Sequence, residues 1–377
     1  MMHRSSMNNI NNITKKFILL FSIFAASLLL SGVYIVSGTQ AYTRYQQASF
    51  AQQRNCGGQG NVHICVDAPK AIYSAFYPSY LAQHYPVFSV EYSSTQPTNL
   101  FISATINGFS QMQTQPVQAS YFTQKVNFTP PMNGQMLHNL TSEDATTLHI
   151  VVTDSSAHTY YLNDIPLLLH SRWLMLWTKN NLSRIAAWVT PNDSTIVTLV
   201  TNASNYLSNQ QAPAPTALIG YNHASQQQVI DQVDAIYNAL LSQKIRYVQA
   251  TVPYTGDNSN TNATEEIKLP GEVMQQHSGM CIELTLLLAS AVERIGLDPE
   301  IIIIPGHAFL GVATTADDKH FAYWDAVDLN NGVAADSDNI MADKLYQQNL
   351  NQHTIIATIS VKAAMHNGIG PMIDSVH

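Results

Sequence analysis

Charged residues are scarce in this chain. They make up 11% of its 377 residues, against about a quarter in an average soluble domain. The formal net charge is −8, and basic residues form no stripe, which argues against a nucleic-acid partner. The sequence has no His-Glu-x-x-His motif, no cysteine cluster and no glycine-rich phosphate loop, so we expect neither a metal ion nor a cofactor.

Cysteine is also rare, with three residues in the whole chain. Cys56 and Cys65 are separated by a short glycine-rich loop that closes easily, and in an oxidising compartment such a pair is expected to form a disulfide. Two free thiols are the alternative. The pairing leaves Cys281 as the odd cysteine, which is the position that a nucleophile would have.

One long uncharged stretch, Phe17 to Ser37, has the length that crosses a bilayer as a helix. Basic residues precede it and no acidic residue does, which predicts an N-terminus in the cytoplasm and a C-terminal body outside it. Residues 1–38 are therefore predicted to be a cytoplasmic tip and a single-pass membrane anchor. The alternative is a cleaved signal peptide, which would make the protein secreted.

The middle of the chain changes texture twice. Residues 39–84 are rich in Gln, Ala, Ser and Tyr with little periodicity, and predict a juxtamembrane stalk. Residues 85–170 contain short alternating strands, such as Leu100 to Ile106, separated by turns, which is typical of an immunoglobulin-like β-sandwich. Nothing in this part suggests catalysis, and a spacer or binding module is the expected role. Residues 171–377 form the last predicted domain.

Cys281 stands at the predicted start of an apolar helix that runs to Arg294 and ends at Gly296. A thiol in the first turn lies at the positive end of the helix dipole, beside N–H groups that lack intrahelical partners, and both favour the thiolate. The same N–H groups are suited to an oxyanion hole. Position alone, however, favours an inert buried cysteine, which is the usual fate of a lone one.

Two predicted strands supply further chemical groups. His307 follows Gly306 at the start of one, and Asp325 lies among aromatic residues in the next, Phe321 to Asp328. A carboxylate in such a place is costly unless it is paired, and a protonated His307 would pair it. Asp328 is the rival for this place. Because residues three apart on a strand face opposite sides, only one of the two acids could pair with His307.

Three short segments, Gly279 to Glu283, Gly306 to Phe309 and Trp324-Asp325, together resemble the core of the transglutaminase-like (papain-like) superfamily. The resemblance covers roughly residues 190–345. It implies that Cys281 is the nucleophile, His307 the general base and acid, and Asp325 the orienting carboxylate. The chain departs from the family pattern at Phe309, where many members have Trp, and after Asp325, where many have Asp-x-Thr.

The resemblance also implies a reaction. The thiolate would attack an amide or ester carbonyl, and the resulting acyl-thioester would pass to water, as in a peptidase or amidase, or to an amine, as in a cross-linking enzyme. We therefore expect a membrane-anchored, extracytoplasmic cysteine enzyme acting on a peptide or protein substrate at the cell surface, with hydrolysis favoured over cross-linking. A catalytically inactive surface binding protein of the same fold is the alternative. The expected fold class is α+β: an N-terminal transmembrane helix, an immunoglobulin-like β-sandwich and a transglutaminase-like, papain-type domain.

Overall fold

The computed structural model of the chain describes residues 52–132, 134–207, 217–249 and 263–372, and over these residues the fold is α+β. The predicted fold class is wrong in the transmembrane helix that it places at the N-terminus: among the described residues, no helix is long and apolar enough to cross a membrane. The stretch on which that prediction depended, Phe17 to Ser37, lies outside the described residues.

The first half of the described chain is a β-sandwich of two sheets. Its strands are β1 (Gln52–Gly57), β2 (Val62–Pro69), β3 (Ala71–Tyr73), β4 (Phe88–Ser94), β5 (Thr98–Ile106), β6 (Gln113–Ala119), β7 (Gln124–Phe128), β8 (Asp144–Thr153) and β9 (Thr159–His170). One sheet has the order β1-β2-β4-β7 and the other the order β3-β9-β8-β5-β6. The β3–β9 pair is parallel, and the other pairings from β2 onward are antiparallel.

Period-two alternation explains why these segments are strands. On β5 the side chains of Leu100, Ile102, Ala104 and Ile106 are buried, while the residues between them are exposed or half-buried. Successive side chains of a strand point to opposite faces, so one face of the sheet becomes apolar and packs against the other sheet. Contacts of β2 with β9 and of β4 with β6 join the two layers.

The sandwich begins earlier than the sequence predicted. Residues 52–84, assigned to the stalk, contain β1, β2, β3 and a short helix, α1 (Tyr77–Ala82). The polar composition of this segment conceals a buried row on β2, formed by Val62, Ile64 and Val66. The predicted disulfide between Cys56 and Cys65 is present and links β1 to β2.

The second half of the described chain is built around one antiparallel sheet and one buried helix. Helix α2 (Gly134–Asn139) still belongs to the sandwich, between β7 and β8, and the helices of the second half are α3 (Ser194–Leu207), α4 (Gln226–Ser242), α5 (Pro270–Gln276), α6 (Cys281–Arg294), α7 (Ala335–Gln352) and α8 (Val361–His366). Its strands are β10 (Leu174–Trp177), β11 (Arg246–Tyr247), β12 (Ala263–Glu266), β13 (Ser278–Gly279), β14 (Pro299–Ile304), β15 (His307–Ala313), β16 (Phe321–Trp324) and β17 (Ala357–Ser360). The central sheet has the order β16-β15-β14-β17, and α6 packs against β14 and β15.

A buried arginine joins the sandwich to the second half. Arg184, on a 3₁₀ helix at Leu182–Trp188, is 2% exposed, and its guanidinium lies 5.1 Å from the ring centroid of Phe76 and 4.9 Å from that of Tyr80. It also donates a hydrogen bond to the Ser79 hydroxyl. A guanidinium is weakly hydrated and stacks on aromatic faces, so it can be buried here between the two parts of the fold.

Candidate active site

Glu283 fixes the turn that places Cys281 at the start of α6. Its carboxylate accepts the backbone N–H of Met280 (2.9 Å) and the backbone N–H of Lys268 (2.8 Å), and the Lys268 ammonium lies 3.4 Å from it. Burial raises the pKa of Glu283, although the two backbone hydrogen bonds oppose that rise. The expected structural role of Glu283 at the helix start is confirmed by these contacts.

The extended segment before Cys281 requires a glycine. Ser278–Gly279 pairs in parallel with β11 through the register Tyr247↔Gly279. A Cβ added at Gly279 would lie 2.9 Å from the side chain of Leu284 and 3.1 Å from that of Val273. A larger residue at this position would therefore force the side chains of Leu284 and Val273 to shift.

Thr285 ties α6 to the strand that carries the histidine. Its hydroxyl lies 2.8 Å from the carbonyl oxygen of Cys281, one turn before it, and 3.1 Å from the carbonyl oxygen of Ala308 on β15. Ala308 is the residue after His307. A buried side chain thus sets the separation between the two elements that bear Cys281 and His307.

His307 lies between the thiol and a carboxylate. It begins β15 after a tight turn, in which Gly306 has a φ of 73°, a backbone conformation that favours glycine. Its Nε2 atom is 2.7 Å from Oδ2 of Asp325, and Cys281 is close enough to the ring to raise its pKa. Because Asp325 occupies Nε2, Nδ1 is the ring nitrogen that remains for the thiol.

The charges around His307 favour its protonated form. Burial lowers the pKa of the imidazole, but hydrogen bonds to Asp325 and Cys281 and the negative charges of the same two groups outweigh burial and raise the pKa to about 10.

The structure brings Asp325, and not Asp328, to His307. The strand predicted to extend to Asp328 ends at Trp324, and a 3₁₀ helix follows at Ala326–Asn331. The Asp325 side chain caps that helix by accepting the Val327 N–H at 3.2 Å, a local hydrogen bond that ends the strand. Asp328 lies within the 3₁₀ helix and accepts a hydrogen bond from Asn331 (3.2 Å).

Three hydrogen bonds hold the strand end that carries Asp325. They run from Asn339 to the Tyr323 carbonyl (2.9 Å), from the Trp324 indole to Asp234 (2.8 Å) and from the Asp325 N–H to Asp338 (2.9 Å). Burial raises the pKa of Asp234 to about 7 and that of Asp338 to about 8.

We did not predict a role for either of these acids from the sequence. Asp234 sits between Ile230 and Tyr237 on the apolar face of the amphipathic helix α4, and an acid at a core position was the available signal. Asp338 gave no comparable signal, because α7 has only a weak apolar face.

Tyr247 is a further residue near the thiol. It lies on β11, and burial together with the charges of Cys281 and Asp325 raises its pKa. The phenol therefore keeps its proton at neutral pH and can donate a hydrogen bond toward the site.

The three central residues differ in accessibility. Cys281 is 1% exposed, whereas the side chains of His307 and Asp325 are 22% and 15% exposed.

As for metal ions, the described part of the chain has one group of three neighbouring residues that could act as ligands, Cys56, His63 and Cys65, and it lies in the sandwich.

Comparison with known proteins identifies no relative. No family model matches the chain, and neither a curated protein nor a solved structure matches it. The argument for function therefore depends on the geometry around Cys281.

Proposed function

We propose that this protein is a cysteine enzyme of the transglutaminase-like type that cleaves or transfers the acyl group of an amide bond in a peptide or protein. One observation carries the proposal: His307 is held by Asp325 at 2.7 Å and is close enough to Cys281 for the thiol to raise its pKa, with the cysteine at a helix start. Nucleophile, base and orienting group in mutual contact are the recognisable pattern of covalent acyl transfer.

In the first half of the reaction, the Cys281 thiolate forms a bond to the substrate carbonyl carbon and the carbonyl π electrons move to oxygen. As the tetrahedral intermediate collapses, the C–N bond breaks and the imidazolium of His307 gives its proton to the leaving amine. The product is an acyl-thioester on Cys281, with a neutral His307 that Asp325 keeps in orientation.

The negative oxygen of the tetrahedral intermediate needs hydrogen-bond donors. Backbone N–H groups in the first turn of α6 have no intrahelical acceptor, and they lie at the positive end of the helix dipole. The protonated Tyr247 hydroxyl is a second candidate donor, because it is close enough to Cys281 for the two groups to interact electrostatically. Donors of this kind act strongly in a site from which water is excluded.

In the second half, neutral His307 removes a proton from the acceptor, which attacks the thioester and releases Cys281 as thiolate. Water as the acceptor gives hydrolysis, and an amine gives a new amide bond. We favour hydrolysis, and mass spectrometry of the products formed with and without an added primary amine distinguishes the two. An extracytoplasmic setting is part of the proposal, and the Cys56–Cys65 disulfide supports it, because disulfides persist in oxidising compartments.

A second candidate function is a binding protein in which the same fold no longer catalyses. The burial of Cys281 favours it, because a 1% exposed thiol offers little surface for a substrate to approach. The contacts of His307 with both partners favour the enzyme, since an inert cysteine needs neither of them.

Alkylation of Cys281 separates these candidates. With Cys56 and Cys65 in a disulfide, Cys281 is the free cysteine, and iodoacetamide labelling near neutral pH reports its thiolate. We expect labelling of the folded protein to exceed that of the denatured chain and to slow in His307→Ala. His320→Ala is the matched control, because that histidine is exposed and its loss should leave the labelling rate of Cys281 unchanged. Labelling no faster than in the denatured chain, and indifferent to His307→Ala, would refute the enzyme.

A further inference from the structure

The disulfide in the sandwich has a histidine beside it. His63 and Cys65 lie two residues apart on β2, so their side chains point to the same face of the sheet, and Cys56 is on the neighbouring strand β1. The Nε2 atom of His63 is 3.4 Å from Sγ of Cys65. One ligand atom from each of the three residues lies within 4.8 Å of the others.

We propose that Cys56, His63 and Cys65 form a redox-dependent binding site for Zn²⁺, closed when the disulfide is intact and open when it is reduced. This site is independent of the chemistry proposed for Cys281. It also revises our expectation of no metal ion. That expectation treated His63 only as part of the loop between the two cysteines and not as a possible ligand.

The distances fit a tetrahedral zinc centre. Zn–S bonds of about 2.3 Å and Zn–N bonds of about 2.0 Å, at a tetrahedral angle, place sulfur and nitrogen about 3.5 Å apart. The observed separation of Cys65 Sγ and His63 Nε2 is 3.4 Å. In the reduced form the two sulfurs need to separate only to about 3.8 Å, which small side-chain rotations provide.

Conversion of the disulfide form to the zinc-bound form requires reduction of the disulfide followed by loss of the two thiol protons. A thiol or phosphine reductant supplies two electrons, the S–S bond breaks, and two protons complete the two thiols. Zn²⁺ then replaces both thiol protons, and the neutral imidazole of His63 gives the third bond. Water takes the fourth position. Two thiolates neutralise the ion, so the complex adds no net charge to this face.

The surroundings permit both steps. Cys56 and His63 are exposed, so a reductant and an ion can reach them from solvent. Arg54, the cation on the same strand as Cys56, is paired with Asp67 (2.8 Å) and with Glu91 (2.5 Å). These carboxylates offset its repulsion of Zn²⁺.

The test is equilibrium dialysis of the full chain against Zn²⁺, with bound metal measured by atomic absorption. Cys281→Ser is the background, so that the two sandwich cysteines are the cysteines left. After phosphine reduction we expect one Zn²⁺ per chain, and in the oxidised protein none. His63→Ala should weaken binding by at least about tenfold, since even outer partners of metal ligands contribute that much. His158→Ala, an exposed histidine of the same sandwich, should bind as the background does.

Three results would overturn the proposal: no zinc bound after reduction, binding that is equal in His63→Ala and in the background, or binding that is equal in the oxidised and reduced protein. Circular dichroism accompanies each sample. Loss of the native spectrum on reduction would also overturn it, because the strands must hold the ligands together. The double variant Cys56→Ser/Cys65→Ser should keep the native spectrum and bind no zinc.

Discussion

The ionisation of Asp338 should control part of the pH dependence of stability. Its side chain is fully buried (0% exposed), and burial raises its pKa to about 8, with the nearby carboxylates of Asp325 and Asp328 raising it and the hydrogen bond from the Asp325 N–H lowering it. In an unfolded chain the pKa of aspartate is about 3.9. The folded protein therefore holds a proton on Asp338 over a range in which the unfolded chain does not.

The sign and size of the effect follow from linkage. Because the folded-state pKa is the higher one, protonated Asp338 contributes stability at low pH, and that contribution is lost as the pH rises through about 8. At pH 6 the folded-state pKa is about two units away, which at about 1.4 kcal/mol per unit leaves about 2 to 3 kcal/mol. At pH 9 the contribution is close to zero.

Asp338→Asn tests this directly, because asparagine keeps an acceptor for the Asp325 N–H and cannot ionise. Urea unfolding followed by tryptophan fluorescence reports on the right part of the fold, since all four tryptophans follow the last strand of the sandwich, which ends at His170. From pH 6 to pH 9 the free energy of unfolding of the variant should rise relative to the original chain by about 2 to 3 kcal/mol. Asp343→Asn, exposed on the same helix, is the matched control and should parallel the original chain. If the free energies of unfolding of Asp338→Asn and of the original chain change with pH in parallel, within about 0.5 kcal/mol, then Asp338 is already ionised in the folded protein at pH 6.

Three further changes test the site. Asp325→Asn should slow alkylation of Cys281 at neutral pH by at least about tenfold, since each pKa unit by which the ion pair is weakened is a factor of ten. In Asp328→Asn, Cys281 should be alkylated at the original rate. Equal rates for the two variants would contradict the pairing that we describe. Tyr247→Phe should leave alkylation nearly unchanged, because that reaction forms no oxyanion, but should lower the turnover of an amide substrate by about 10²–10³-fold; unchanged turnover would remove the hydroxyl from the oxyanion site. Glu283→Ala should lower the free energy of unfolding by about 2 to 6 kcal/mol in urea titrations, because it leaves two backbone N–H groups without an acceptor at about 1–3 kcal/mol each; a loss below 1 kcal/mol would mean that water replaces the carboxylate.

The sequence predicted those residues whose chemical role is indicated by their neighbours in the chain. Cys281 at a helix start and His307 after a glycine turn are each marked by their neighbours, and the structure places them in contact. The choice between Asp325 and Asp328 could not be made, because it depends on where the strand ends. Its end is set by a hydrogen bond that the Asp325 carboxylate accepts from the backbone N–H of Val327, which competes with continued strand pairing.

Other features escaped prediction because they depend on tertiary contacts. The strands in residues 52–84 have a polar composition, and their apolar face becomes evident only beside a second sheet. Asp234 and Asp338 look like surface acids in a list of residues, yet both are buried against the strand end at Trp324 and Asp325. Burial reverses the usual preference of an aspartate for its charged form. For Asp234 the apolar face of α4 was a signal of burial, whereas no local pattern reports the burial of Asp338.

The proposed nucleophile is less exposed than its base, and this constrains how a substrate can reach it. Cys281 cannot move outward easily, because Glu283 and Thr285 anchor the first turn of α6 and the helix is buried along its length. Whatever opens must therefore lie opposite the helix. Tyr247 interacts electrostatically with the thiol and lies on β11, a strand of only two residues. Local opening requires least free energy where few backbone hydrogen bonds must break. We therefore expect a substrate to enter along the partly exposed side of His307 and to displace β11, not α6.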